Sequence, residues 1–120
     1  MDQHLPHDHG HESSSVLSNM PSSEDCQAVA AIFKQLGDGN RIRIFWLLCH
    51  CEECVINIAA LMEMSSPAVS HHLKQLRFGG LITSRREGKE VYYKAADNKQ
   101  AKLLHRFIEQ LVEIACPSVS

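Results

Sequence analysis

No stretch of this chain approaches the ~20 consecutive apolar residues that a membrane span needs. The N-terminus also lacks the basic-then-apolar pattern of a secretory leader. The first 25 positions hold Asp2, Asp8, Glu12, Glu24 and Asp25 and no Lys or Arg. Both absences point to a cytoplasmic chain with no membrane partner, where thiols stay reduced. The five cysteines then read as ligands or redox groups instead of structural disulfides. No internal repeat is present, which argues against a stacked-repeat architecture.

What is present fits one domain. The 120 residues are 44% apolar, enough for a core and unlike a disordered chain. Net charge is −2, a weak argument against a nucleic-acid partner until its distribution is considered. Residues 65–102 carry Lys74, Arg77, Arg85, Arg86, Lys89, Lys94, Lys99 and Lys102 against Glu87, Glu90 and Asp97. That local excess governs DNA contact more than the total does.

Residues 1–21, rich in His, Ser and Asp and without apolar period, are expected to form a flexible tail. Residues 22–120 are expected to form one winged helix-turn-helix domain for DNA binding and dimerisation. Its predicted class is mainly α with a small β-hairpin, in the order α-α-α-α-β-β-α. A capping box at Ser22-Ser23-Glu24-Asp25 opens a first helix that ends at Gly37. Asp38-Gly39-Asn40 turns into a second helix, Arg41 to about Cys49. Val55 to Met62 reads as a short third helix. Ser65 or Ser66 caps a fourth, Pro67 to Phe78, closed by Gly79-Gly80. Strands Leu81–Arg86 and Lys89–Lys94 meet at Glu87-Gly88. Asp97 is read as the cap of a last helix that runs to about Cys116 and is stopped by Pro117. Leu104, Phe107, Ile108, Leu111, Val112 and Ala115 give it one broad apolar stripe. Two apolar helices at opposite ends of a small domain imply a homodimer through the first and last helices.

A short polar helix followed by a basic hairpin is how a winged helix-turn-helix holds double-stranded DNA. Ser65, Ser66, Ser70, His71, Lys74 and Gln75 are polar and early or outward on the helix, whereas Val69, Leu73 and Leu76 face inward. Gln75 suits adenine edges, and Arg85, Arg86 and Lys89 in the wing suit phosphates or the minor groove. His71 and His72 are adjacent, so they diverge on a helix and make a poor metal pair. His72 reads as a hydrogen-bonded, partly buried group.

The sharpest chemical feature is Cys49-His-Cys51-Glu-Glu-Cys54, three thiols and an imidazole within six residues. Cys-x-x-Cys spacing at 51–54 suits a soft-metal knuckle, and Cys49 adds a third sulfur at a helix end. Thiolate-rich sites favour Zn(II), Cd(II), Pb(II), Cu(I) or As(III), and the sequence does not choose among them. His4, His7, His9, His11 and Cys26 are further donors, either completing such a site or gathering metal.

The chain resembles the ArsR/SmtB family of small metal-sensing repressors. The resemblance rests on LGDGNRIRI from Leu36, ECV from Glu53, SPAVSHHLKQL from Ser66 and the wing REGKEVYY from Arg86. It runs without gaps from about Ala31 to Glu113. It implies a homodimeric repressor that leaves its operator when an inducer binds. The reading head and the two uncovered helices point to an inverted-repeat operator. An enzyme with a catalytic cysteine is set aside, because the only plausible bases, His50 and His105, have nothing to orient them. Cys54 matches a cysteine of one family sensor site, whose second cysteine falls on Ile56, so Cys51 and Cys49 are the replacements. A second family site would fall on Asp97, Lys99, Gln110 and Glu113, and two of those are poor ligands. Some family members instead sense oxidants or reactive sulfur through a cysteine pair. Cys49 and Cys116 lie one helical turn beyond the matching positions, which keeps a thiol-based redox repressor as the alternative.

Overall fold

A computed structural model of the chain describes residues 5–7 and 13–116. The candidate donors His4, His9 and His11 and the helix stop Pro117 lie outside the described residues. The chain divides into two compact units, residues 1–30 and 31–120. In the first, the expected tail contains a short helix, α1 (Ser13–Val16), and a single 3-10 turn, Leu17–Asn19. The helix α2 (Ser23–Gln35) begins in this unit. The Ser22 hydroxyl accepts from the Asp25 amide, satisfying one of the free N–H groups of its first turn.

The second unit is organised around α3 (Gly39–His50). Asp38 caps it by accepting from the Arg41 amide. Its Ile44, Phe45 and Leu48 are sealed from solvent. They share a core with Ile58 and Ala59 of α4 (Val55–Met62) and with Val69, Leu73 and Leu76 of α5 (Ser66–Phe78). Leu81 and Ile82 follow in the core, and Ile32 and Leu36 pack against its margin.

The turn between α4 and α5 is built by Glu63, whose φ of 54° is left-handed. The amides of Glu63 and Met64 reach back to the carbonyls of Ala60 and Ala59, closing the helix end. Ser65 then accepts from the Ala68 amide and starts α5, with Pro67 in the first turn. α5 ends the same way: Gly80 and Leu81 donate to the carbonyls of Arg77 and Leu76, with Gly80 at φ 75°.

The hairpin comprises β2 (Ile82–Glu87) and β3 (Glu90–Ala95), antiparallel, with Glu87 opposite Glu90 and Ile82 opposite Ala95. Its two-residue turn carries Gly88 at φ 63°. The expected link at 51–54 turns out to be more than a link. Glu53 and Cys54 form a third strand, β1, which pairs with Tyr93 and Tyr92 of β3.

The last helix, α6 (Lys99–Ala115), corrects two expectations. Its cap is Asn98, whose side chain accepts from the Ala101 amide, while Asp97 pairs with Lys102. Asn98 is one position nearer the helix and also donates to the Gly80 carbonyl. The apolar stripe is divided as well. Ala101, Leu104 and Ile108 are buried in this unit's core, whereas Leu103, Phe107, Leu111 and Val112 are exposed. No described helix is long and apolar enough to cross a membrane.

The cap assignment has a measurable consequence. Asn98→Ala should cost about 1 kcal/mol of unfolding free energy, the usual loss for a side-chain cap. Asp97→Ala should leave the denaturation midpoint near that of the unmodified chain. Equal losses in the two variants would return the cap to Asp97.

Candidate functional site

α5 presents two chemically distinct faces. Val69, His72, Leu73 and Leu76 are buried, and Ser66, Ser70, His71, Lys74 and Arg77 are exposed. Ser65 is exposed too, but its hydroxyl is occupied as the helix cap. Gln75 is half-buried instead of fully outward. Arg77 and Phe78 extend the exposed face at the helix end, beyond the contact residues that the sequence pattern predicts.

The buried face contains one polar group. His72 Nδ1 accepts from Arg41 Nε at 3.3 Å, and the same guanidinium donates to the Gln35 carbonyl at 3.2 Å. Arg41 thus ties the end of α2 and the start of α3 to the middle of α5. Burial holds the His72 imidazole below its ordinary pKa. Nearby Asp38 works against this, and Arg41 and His71 act with it.

The three wing cations differ in their partners. Arg85 donates to both oxygens of Glu52, pairs with Glu87 and lies over the Tyr92 ring, 4.9 Å from its centroid. These carboxylates raise its pKa further, and the Arg85 hydrogen bonds hold the Glu52 carboxyl below the usual range. Arg86 and Lys89 are exposed and make no ion pair with another described residue.

The cysteines are close in sequence but face different surroundings. Cys49 is half-buried near the end of α3, and burial, with Glu109 adding to it, pushes its thiol up to about 11. Cys51 is exposed, with its sulfur donating to the Leu47 carbonyl at 3.5 Å, and its pKa is raised, chiefly by burial. Cys54 is buried in β1. Cys49 and Cys51 line a cavity of about 400 Å³ together with Glu52, Lys94, Asp97 and His105, and Cys54 does not. Cys116 is exposed at the end of α6. Among the described residues, the donors that do converge are His50, His105 and Glu109. Only His105 and Glu109 are brought together by helical spacing; His50 joins them through the fold, 55 positions away in the chain.

A helix-turn-helix with a sealed inner face, a polar outer face and an adjoining hairpin defines a winged helix-turn-helix DNA-binding regulator. Residues 38–84 match the family described as bacterial regulatory protein, arsR family. The chain is 38% identical over 98 residues to the transcriptional repressor SmtB homolog of Synechocystis sp., covering 82% of this chain and 74% of that one. It is 36% identical to the cadmium resistance transcriptional regulatory protein CadC homolog of Staphylococcus aureus, covering 72% and 73%. Among solved structures it resembles the homodimeric winged helix-turn-helix DNA-binding domain of a possible ArsR-family regulator from Mycobacterium bovis. There the TM-score is 0.68 at 30% identity, covering 84% of this chain and 94% of that one. The chain belongs to the ArsR/SmtB family of transcriptional regulators. Family and fold are those of DNA-binding regulators, not enzymes.

The His72 environment predicts a pH dependence. Its folded pKa lies below the unfolded value of roughly 6.5, so the folded state favours the neutral ring. The associated stability is fully present above that value and is lost as pH falls through the depressed folded pKa. Urea midpoints should therefore drop as pH falls below about 6.5. His72→Asn, which keeps an acceptor for Arg41, should flatten this drop. An unchanged slope in the variant would assign the dependence to other groups.

Proposed function

We propose that this chain is a metal-responsive repressor that binds an inverted-repeat operator as a homodimer and releases it when a thiophilic ion binds. The observation that carries the DNA reading is the exposed polar face of α5, with Ser66, Ser70, His71 and Lys74 turned outward from a sealed core. Ser65, at the same end, contributes as the cap that fixes where the helix begins. Gln75 borders this face and supplies base preference, while Arg86 and Lys89 hold phosphates. Arg85 serves mainly to stiffen the wing, since its guanidinium is already shared between Glu52 and Glu87.

The homodimer reading rests on α6. Leu103, Phe107, Leu111 and Val112 leave an apolar surface that one protomer does not cover, and Phe33 of α2 is exposed too. A two-fold axis through α2 and α6 would bury these residues and place the two α5 helices about one DNA turn, ~34 Å, apart.

Cys51, Cys54 and Cys49 are the residues that would hold the inducing ion. The donor set fits a soft or borderline metal such as Zn(II), Cd(II), Pb(II), Cu(I) or As(III). The name of the CadC relative, a cadmium resistance regulatory protein, supports a metal inducer. One structural feature supports coupling to DNA. Glu52 and Glu53 lie between Cys51 and Cys54, and Glu52 clasps Arg85 while Glu53 and Cys54 pair with β3. Any rearrangement that gathers the sulfurs therefore pulls on the wing. The coupling needed is modest, about 1.4 kcal/mol for each tenfold loss of operator affinity. The redox alternative has less support, because burial keeps the Cys49 thiol protonated at neutral pH and so poorly nucleophilic.

Gel-shift titrations on the upstream DNA of the chain's own gene test both halves. Arg86→Ala and Lys89→Ala should weaken binding to all duplexes alike and each lower the salt slope by about 1. Gln75→Ala should instead relax sequence preference. Binding by the wing variants that matches the unmodified chain at every salt concentration would refute the DNA reading. Cadmium should release the DNA and generate thiolate absorbance in the near ultraviolet. The Cys51→Ser, Cys54→Ser double variant should bind DNA yet fail to release it. Full release by that variant, with its folding intact, would overturn the cysteine assignment.

A further inference from the structure

Three metal-capable side chains converge where the end of α3 meets α6, and no sulfur is among them. His50 Nε2 lies 3.1 Å from His105 Nε2. His105 Nε2 lies 3.1 Å from Glu109 Oε1, and His50 Nε2 lies 3.8 Å from the same oxygen. Two rigid helices set this geometry. His105 and Glu109 are one turn apart on α6, with the buried Leu104 and Ile108 beside them. His50 closes α3, two residues beyond the buried Leu48.

Protons alone cannot turn both close contacts of His105 Nε2 into hydrogen bonds. A ring nitrogen either carries a proton and donates, or carries a lone pair and accepts. If His105 Nε2 is protonated it can donate to Glu109, but it then offers nothing to a protonated His50, and an unprotonated His50 has to compete with Glu109 for the one proton. If His105 Nε2 is unprotonated it can accept from His50, but its lone pair then faces the carboxylate oxygen 3.1 Å away. No placement of protons gives both contacts their own hydrogen bond. A dication satisfies all three at once.

The spacing suits such an ion. Bonds of about 2.0–2.1 Å in a tetrahedral arrangement place ligand atoms roughly 3.3 Å apart. The observed edges of 3.1, 3.1 and 3.8 Å bracket that value. Two imidazoles and a carboxylate favour a borderline first-row divalent ion such as Zn(II), Co(II) or Ni(II) over Mg(II) or Ca(II). His50 and Glu109 are about half exposed, at 44% and 50%, so an ion can enter and a solvent molecule can complete the coordination.

We propose that His50, His105 and Glu109 form a divalent-metal site within one protomer that braces α6 against α3; its ligands are distinct from the three thiols, although His50 lies between Cys49 and Cys51 in the chain. α6 carries the apolar surface left open for a second copy, so the ion would steady the helix on which assembly depends. The site does not require the cysteine reading to hold.

The chain carries its own reporter. Trp46 is its one tryptophan. Its indole N–H donates to Glu109 Oε1 at 3.2 Å, and its ring lies 4.2 Å from that of His50. Cobalt(II) added to the reduced full-length chain should quench Trp46 emission, and zinc should displace the cobalt and restore it. Sulfur-to-cobalt charge-transfer absorption in the near ultraviolet separately reports the cysteines. His105→Gln and the His50→Gln, His105→Gln double variant should weaken the Trp46 response at least about tenfold, the loss that even an outer partner's removal brings. Their charge-transfer band should persist. Cys51→Ser, an exposed and conservative change, should diminish the band and keep the Trp46 response. Circular dichroism checks that each variant is folded. A Trp46 response that is absent in the unmodified chain, or undiminished in the folded double-histidine variant, would overturn the proposal. So would a response that disappears with Cys51→Ser.

Discussion

Burial of one face of α3 is the constraint on which the rest of the second unit depends. Ile44, Phe45 and Leu48 are almost wholly removed from water, and they meet α4, α5 and the root of the hairpin in one core. Full burial of side chains of this size is worth roughly 1.5–3 kcal/mol each. Because the same face receives α5 and the hairpin, the recognition helix and the wing are held by a single packing arrangement. Arg41 adds direction to that packing. Its guanidinium links the Gln35 carbonyl to His72, so the polar contact on the inner face of α5 sets how the helix sits on α3.

A second layer of organisation joins the wing to the cysteine segment. The order β1-β3-β2 makes Glu53 and Cys54 part of the wing sheet, and the Glu52–Arg85 pair clasps the segment from the side. An exposed ion pair adds little stability by itself. Its importance here is positional. Of the wing's three leading cations, Arg85 is shared between Glu52 and Glu87, whereas Arg86 and Lys89 make no ion pair with another described residue. The segment that bears the thiols is therefore neither a free loop nor a preformed cage, and its strand pairing ties it to the wing sheet.

Much of this was legible in the sequence because it is encoded locally. Ser22, Asp38 and Ser65 announced helix starts through their side chains, and Gly80 and Gly88 announced chain reversals through left-handed backbone. The buried His72 followed from its place on the apolar side of α5. What escaped depends on contacts distant in sequence. The pairing of β1 rests on two residues whose partners lie about 40 positions away, too short a run to show any alternation. Asp97 and Asn98 are both good caps, and only the path of the chain decides between them. The single stripe on α6 concealed two surfaces, since helical spacing shows which residues are apolar but not what covers each. His50, His105 and Glu109 gave a partial signal, a His and a Glu four apart on one helix, but His50 reaches them only through the fold.

The central claim is that α5 reads base edges in the major groove, as one of a symmetric pair. Guanine N7 lies in that groove, so dimethyl sulfate protection on the operator tests the claim most directly. Two protected patches should appear, their centres about one helical turn apart, with uncomplexed guanines reacting normally. Retention of full N7 reactivity across a duplex saturated with the protein would contradict the account, because the outward face of α5 would then not lie against the bases.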